Sequence, residues 1–212
     1  MIEIYIADDH PLVREGLKKV VNQSTIDIKV GQEFTNADEL LLGLQKKQPD
    51  IVILDVAMPG KSGLDALKEI KDFYPSLPVL ILSMHPEDRF AIRALKAGAS
   101  GYLNKSSISE QMVNAIRRIV VEKKKYISQT VAEQLAEQVD FNNEGPLHES
   151  LSDREFQILC LIASGKKVNT IAEELSLSVQ TVHTYRSRIK DKMNLKSNVE
   201  ITRYAITHGL ID

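Results

Sequence analysis

Between residues 2 and 122 the chain alternates five short apolar runs with five longer amphipathic stretches, and few folds satisfy that alternation. The runs are Ile2–Ala7, Ile28–Val30, Ile51–Leu54, Pro78–Leu82 and Gly101–Leu103. The stretches lie near 11–23, 36–47, 64–73, 87–98 and 108–122, with apolar residues three and four apart. Leu64, Leu67 and Ile70 are one such series, and Ile108, Met112, Ile116 and Ile119 another. That spacing is the period of a helix. Ile51 to Leu54 is apolar at every position, which fits a strand covered by helices on both faces. Five βα units forming a doubly wound parallel sheet are expected, an α/β fold. Ser107 and Glu110 have the spacing of a capping box opening the fifth helix.

The whole chain has 212 residues, long enough for two domains. Residues 123–148 change character, with Lys123-Lys-Lys125, then Val131, Leu135 and Val139 at helical spacing, then Asn142-Asn-Glu-Gly-Pro146. They read as a linker containing a short helix and a loop. Residues 149–212 show no convincing strand and are expected to form a small all-α domain. Ser152 and Glu155 form a capping-box pattern ahead of Phe156, Leu159, Ile162 and Ala163, and Gly165 can end that helix. Two further helices, near 168–175 and 179–193, are separated only by Ser176-Leu177-Ser178, and a last one covers about 198–208. This is the spacing of a helix-turn-helix. The longest apolar run, Ile158 to Ala163, is far short of the roughly 20 residues that span a bilayer. Met1-Ile2-Glu3 opens no secretory leader, so a cytoplasmic protein without membrane contact is expected. Cys160, the single cysteine, falls in an apolar helical pattern and reads as a small buried hydrophobe.

In a doubly wound sheet, ligands bind outside the carboxyl ends of the strands, where the strand order reverses. The residues at those ends are Asp8 and Asp9, then Asp55, then Ser83, then Lys105. Three carboxylates gathered at one edge repel unless a cation or proton compensates. Hard oxygen donors favour Mg²⁺, which keeps waters and bridges to phosphate. On this reading Asp8 and Asp9 hold the metal, and Asp55 both coordinates it and attacks a phosphoryl group. Lys105 is placed to pair with Asp55 or a phosphoryl oxygen, and Ser83 to donate a hydrogen bond to another.

The residues Asp8-Asp9-His10, Leu54-Asp55-Val-Ala-Met-Pro59-Gly60, Ser83 and Gly101-Tyr102-Leu-Asn-Lys105 together resemble the receiver domain of two-component response regulators. The resemblance covers about 120 residues in order and implies a flavodoxin-like receiver over 1–122. It further implies phosphorylation of Asp55 by a sensor histidine kinase, with Mg²⁺ on Asp8, Asp9, Asp55 and the backbone carbonyl of Ala57. Ser83 and Tyr102 would be the switch pair, the hydroxyl moving toward the phosphoryl group as the ring turns inward. Ala57 and His85 occupy positions that, in that family, tune dephosphorylation. Ser106 departs from the proline that many receivers carry there.

Net charge over the chain is −2, so any affinity for nucleic acid must be local. Residues 178–203 carry six basic residues (Arg186, Arg188, Lys190, Lys192, Lys196, Arg203) against two acidic ones, Asp191 and Glu200. Val179, Val182, Ile189 and Met193 share one side of the helix near 179–193 and would anchor it to Ile171, Ala172 and Leu175. Its other side carries Gln180, His183, Thr184, Ser187 and Arg188, all able to hydrogen-bond base edges in a major groove. Thr181, Tyr185, Arg186, Lys190 and Lys192 flank it at positions suited to phosphate oxygens. Leu151-Ser-Asp-Arg-Glu155, Leu175-Ser-Leu-Ser178, Thr181-Val182 and Lys192-Met-Asn-Leu-Lys196 look like the LuxR-type helix-turn-helix, over about 60 residues. A receiver followed by that output is the arrangement of NarL/FixJ-type response regulators. The resemblance implies base reading at or near His183, Thr184 and Ser187, binding to operator DNA, and a homodimer on phosphorylation.

Other classes compete with this regulator. Haloacid-dehalogenase-like phosphatases also form aspartyl-phosphate, but on an Asp-x-Asp first strand, whereas this strand ends in adjacent Asp8 and Asp9. A flavodoxin-like cofactor binder would want amides and hydroxyls in the acidic turn Asp8-Asp9-His10-Pro11. A protein-binding role for the helical tail stays open at this point. A regulator assisting its own phosphorylation, rather than a dedicated enzyme, is the expectation.

Overall fold

The apolar runs of the first 122 residues become a single parallel sheet in a computed structural model that describes residues 1–24, 26–84, 87–129, 131–133 and 146–211. Its strands are β1 (Ile2–Ala7), β2 (Ile28–Phe34), β3 (Ile51–Asp55), β4 (Val79–Ser83) and β5 (Gly101–Asn104), in the order β2-β1-β3-β4-β5. The crossovers are α1 (Pro11–Ser24), α2 (Ala37–Lys46), α3 (Gly63–Phe73), α4 (Glu87–Lys96) and α5 (Ile108–Val120). Every residue of β3 and β4 is buried, so the uniform apolarity of these runs reflects helices on both faces. On one face Ile4, Ile6, Ile53, Leu80 and Leu103 pack with Leu17, Met112, Ile116 and Ile119 from α1 and α5. Each such side chain contributes about 1.5–3 kcal/mol by leaving water. The strand order reverses between β1 and β3, which opens a crevice at their carboxyl ends.

Two local expectations fail for identifiable reasons. Strand β2 runs four residues beyond Val30, through Gly31, Gln32, Glu33 and Phe34, because an edge strand keeps pairing with β1 while Gly31, Gln32 and Glu33 stay exposed and only Phe34 returns to the core. Ser107 makes no capping bond to α5, since its ψ of 7° is not the extended conformation a cap requires. A one-turn 3-10 helix, Lys105–Ser107, precedes α5, and its own cap is Asn104, whose side chain accepts from the Ser106 amide at 2.9 Å. Proline at position 106 would have no such amide to give.

The segment after α5 returns to the sheet. The Tyr126 amide donates to the Ser100 carbonyl (2.9 Å) and the Tyr102 amide donates to the Tyr126 carbonyl (3.3 Å). Val131 is helical and buried, whereas Leu135 and Val139, the rest of the expected linker helix, lie outside the described residues.

The chain divides into two compact units, Met1–Phe141 and Asn142–Asp212. The second contains α6 (Asp153–Ala163), α7 (Val168–Glu174), α8 (Val179–Met193) and α9 (Asn198–Thr207). Ser152 and Glu155 do form the reciprocal capping box of α6, and Gly165 adopts the left-handed φ of 79° just past its end. Cys160 is buried, in keeping with its apolar surroundings along the helix. Among the described residues no helix is long and apolar enough to cross a membrane.

Gly63 fixes the approach of α3 to β3. A Cβ there would stand 1.9 Å from the Asp55 carbonyl oxygen. Gly63→Ala should therefore lower stability by about 1–3 kcal/mol through forced displacement of the Asp55 backbone, measured as a drop in denaturant midpoint at unchanged slope.

Candidate functional site

Asp8 follows β1, Asp55 ends β3, Ser83 ends β4, and Lys105 follows β5, so parallel pairing in register brings them to one edge of the sheet. Asp8 and Asp55 are 1% and 2% exposed. The Lys105 ammonium stands 2.7 Å from Asp8 Oδ2 and 2.9 Å from Asp55 Oδ2. Burial raises the Asp55 pKa above the ordinary carboxylate value, Lys105 opposes this, and Asp8 adds to it. Burial lowers that of Lys105, but Asp55 and Asp8 outweigh it and leave the ammonium above its usual value. Asp8 is oriented by the His10 amide, which donates to its Oδ1 at 2.8 Å, and Arg14 Nη1 donates to its carbonyl at 2.7 Å.

Three oxygens of this group, Asp8 Oδ2, Asp9 Oδ1 and Asp55 Oδ2, receive no well-aligned hydrogen bond among the described residues, despite the nearby ammonium. Asp8, Asp9, His10 and Asp55 each offer one donor atom within 4.8 Å of the others. Three clustered carboxylates sharing one ammonium suit a divalent cation. Asp8, Asp9, Asp55 and Lys105 thus come together, with His10 as one addition. His10 is not a donor that the sequence singles out, because a lone histidine after two acids carries no metal-ligand spacing of its own. Ser83 and Tyr102, on the neighbouring strands β4 and β5, are each 1% exposed. Ala57 lies just beyond β3, and His85 lies outside the described residues.

The helical unit presents α8. Ser176 takes a left-handed φ of 51° in the turn after α7, and Ser178 caps α8 by accepting from the Thr181 amide at 3.0 Å. Val182, Ile189 and Met193 are buried, but Val179 is 41% exposed, so the anchored side begins one turn later than its apolar pattern suggested. Gln180, Thr184, Ser187 and Arg188 are exposed, and Thr181, His183, Tyr185, Arg186 and Lys190 are half-buried. Lys192 is already paired: its ammonium stands 2.7 Å from Glu155 Oε2, whose side chain is 4% exposed. Burial pushes Glu155 up, and the bonds from Lys192 and Ser152 more than offset this, holding it below its ordinary value of 4.5.

A buried acid and ammonium cluster on a doubly wound sheet, followed by a helix-turn-helix, defines a response regulator that binds DNA. Residues 4–117 match the family described as the response regulator receiver domain, and residues 149–205 that of bacterial regulatory proteins, luxR family. The chain belongs to the two-component response regulators with a LuxR-type DNA-binding domain, which are transcription regulators and not a classical enzyme family. It is 38% identical to Response regulator GacA of Pseudomonas aeruginosa, over 100% of this chain and 99% of that protein. It is 36% identical to Response regulator UvrY of Escherichia coli K12, over 99% and 96%. Among solved structures it resembles RcsB from Salmonella enterica serovar Typhimurium bound to a promoter in the presence of the phosphomimetic BeF3⁻. That likeness has a TM-score of 0.59 at 26% identity, covering 96% of this chain and 97% of that one.

A folded-state pKa below the ordinary one means that ionised Glu155 adds stability above pH 4.5, lost as pH falls through the depressed value. Acid titration of the full-length protein should show the helical transition weakening in that window. Glu155→Gln should shrink that pH-dependent part, and an unchanged profile would separate Glu155 from it.

Proposed function

We propose that this regulator is switched by transfer of a phosphoryl group from a phosphohistidine of a sensor histidine kinase to Asp55. The observation that carries the reading is the buried Asp55 carboxylate, 2.9 Å from the Lys105 ammonium and grouped with Asp8 and Asp9 at the strand ends. An Asp55 oxygen attacks phosphorus, the P–N bond to the donor imidazole breaks as the P–O bond forms, and the imidazole leaves with a proton from water. Asp8, Asp9, Asp55 and the Ala57 carbonyl would hold Mg²⁺, which when bound neutralises charge on the phosphoryl oxygens. Lys105, drawn between Asp8 and Asp55, is positioned to shift its contact from carboxylate to a phosphoryl oxygen. Ser83 then supplies a hydroxyl to the same group, and Tyr102 follows as the second member of the switch. The regulator assists its own phosphorylation and hydrolysis without acting as a dedicated enzyme.

The output in this reading is binding of double-stranded operator DNA by a homodimer in the cytosol. Residues 1–122 form the receiver, 123–148 the linker and 149–212 the DNA-binding domain. His183, Thr184, Ser187 and Arg188 face base edges, while Thr181, Arg186 and Lys190 contact phosphate. Lys192 already shares its ammonium with Glu155, which makes it the weakest member of the set.

Asp55→Asn should reduce acid-labile phosphoryl incorporation from a small phosphodonor in Mg²⁺ to background; undiminished labelling would refute the assignment. In filter binding to a random-sequence duplex, Arg186→Ala should lower the slope of log affinity against log salt by about 0.9. Lys192→Ala should leave that slope near the parent value, and an equal drop would return Lys192 to the phosphate contacts.

A further inference from the structure

The imidazole of His10 faces the two carboxylates from outside. Its Nδ1 is 2.8 Å from Asp9 Oδ1 and 3.3 Å from Asp8 Oδ1. Donors on one edge of an octahedron with bonds of about 2.1 Å stand about 3 Å apart, and these two separations bracket that edge. The His10 side chain is 61% exposed, so its nitrogen is held toward the acids by these polar contacts and not by packing. Asp8 Oδ2 and Asp55 Oδ2 face the Lys105 ammonium at 2.7 and 2.9 Å, and Asp8, Asp9, His10 and Asp55 each offer one donor atom within 4.8 Å of the others.

Resting on the reading of this edge as a divalent-cation site, we propose that His10 Nδ1 is a fifth protein donor to the cation, adding one nitrogen to the three carboxylates and the Ala57 carbonyl. That changes which ion the site prefers. Mg²⁺ is a hard ion that takes oxygen and holds its waters, so a nearby imidazole adds little to its binding. First-row transition ions accept imidazole well, with affinity rising from Mn²⁺ through Co²⁺ to Ni²⁺. The site should therefore bind Mn²⁺ and Co²⁺ more tightly than an all-oxygen site of the same charge, while its Mg²⁺ affinity is set by the aspartates. His10 is placed at the open side, where it can join the cation without displacing Lys105 from Asp8 Oδ2 and Asp55 Oδ2.

The test uses full-length protein and the ions Mg²⁺, Mn²⁺ and Co²⁺, titrated calorimetrically, with pulsed electron paramagnetic resonance of bound Mn²⁺. The expected result is a ¹⁴N coupling on Mn²⁺ in the parent protein that disappears in both His10→Ala and His10→Phe. In those variants Co²⁺ affinity should fall about 10-fold or more while Mg²⁺ affinity stays within about 2-fold. Asp9→Ala should weaken all three ions, which ties the signal to this site. A ¹⁴N coupling that survives His10 substitution, or equal affinities in parent and variant, would overturn the role of His10 while leaving the cation site intact. Failure of the parent to bind any of the three ions would overturn both the site and the donor.

Discussion

Two buried carboxylates held against one ammonium form the constraint around which the first unit is organised. Asp8 and Asp55 are nearly inaccessible, and Lys105 bridges them across the reversal of strand order. With Asp9 beside them, three acids face one lysine, an imbalance of formal charge at the sheet edge. A buried arrangement of that kind is held by the backbone that over-determines it: parallel register, the Gly63 contact behind Asp55, and Arg14 on the Asp8 carbonyl. The same imbalance makes the edge receptive to a cation or to a group that redistributes charge.

The helical unit solves a different problem, that of presenting one helix face while fixing its axis. Val182, Ile189 and Met193 bury one side of α8, and Arg154 in α6 spans to the Leu175 carbonyl at the end of α7. Glu155 closes the arrangement by serving two masters, the Ser152 amide at 2.8 Å and the Lys192 ammonium. A residue that caps one helix thereby sets the position of another.

The sheet was legible because burial on both faces leaves an unmistakable apolar run, as at Ile51–Leu54, and the acids follow such runs directly. The capping box at Ser152 was legible because its two members are local. What escaped is what depends on partners far along the chain: the extension of β2, written in Gly31-Gln32-Glu33 and decided by pairing with β1, and the Lys192–Glu155 pair, 37 positions apart. Ser107 shows the converse, a local motif overridden by the turn that delivers Lys105. His10 escaped because donor geometry comes from side-chain direction, which periodicity does not report.

Tyr126 closes the outer edge of β5 at the place where the polypeptide sets off toward its second half. Its carbonyl is held by the amide of Tyr102, its ring hydroxyl donates to Gln111 at 2.9 Å, and a Cβ on Gly101 would come within 2.7 Å of that carbonyl. The chain is thus laced to the backbone of an aromatic residue beside the acidic crevice before it departs. The outgoing segment therefore departs from a point tied to the sheet backbone at Ser100 and Tyr102, not directly from the end of α5.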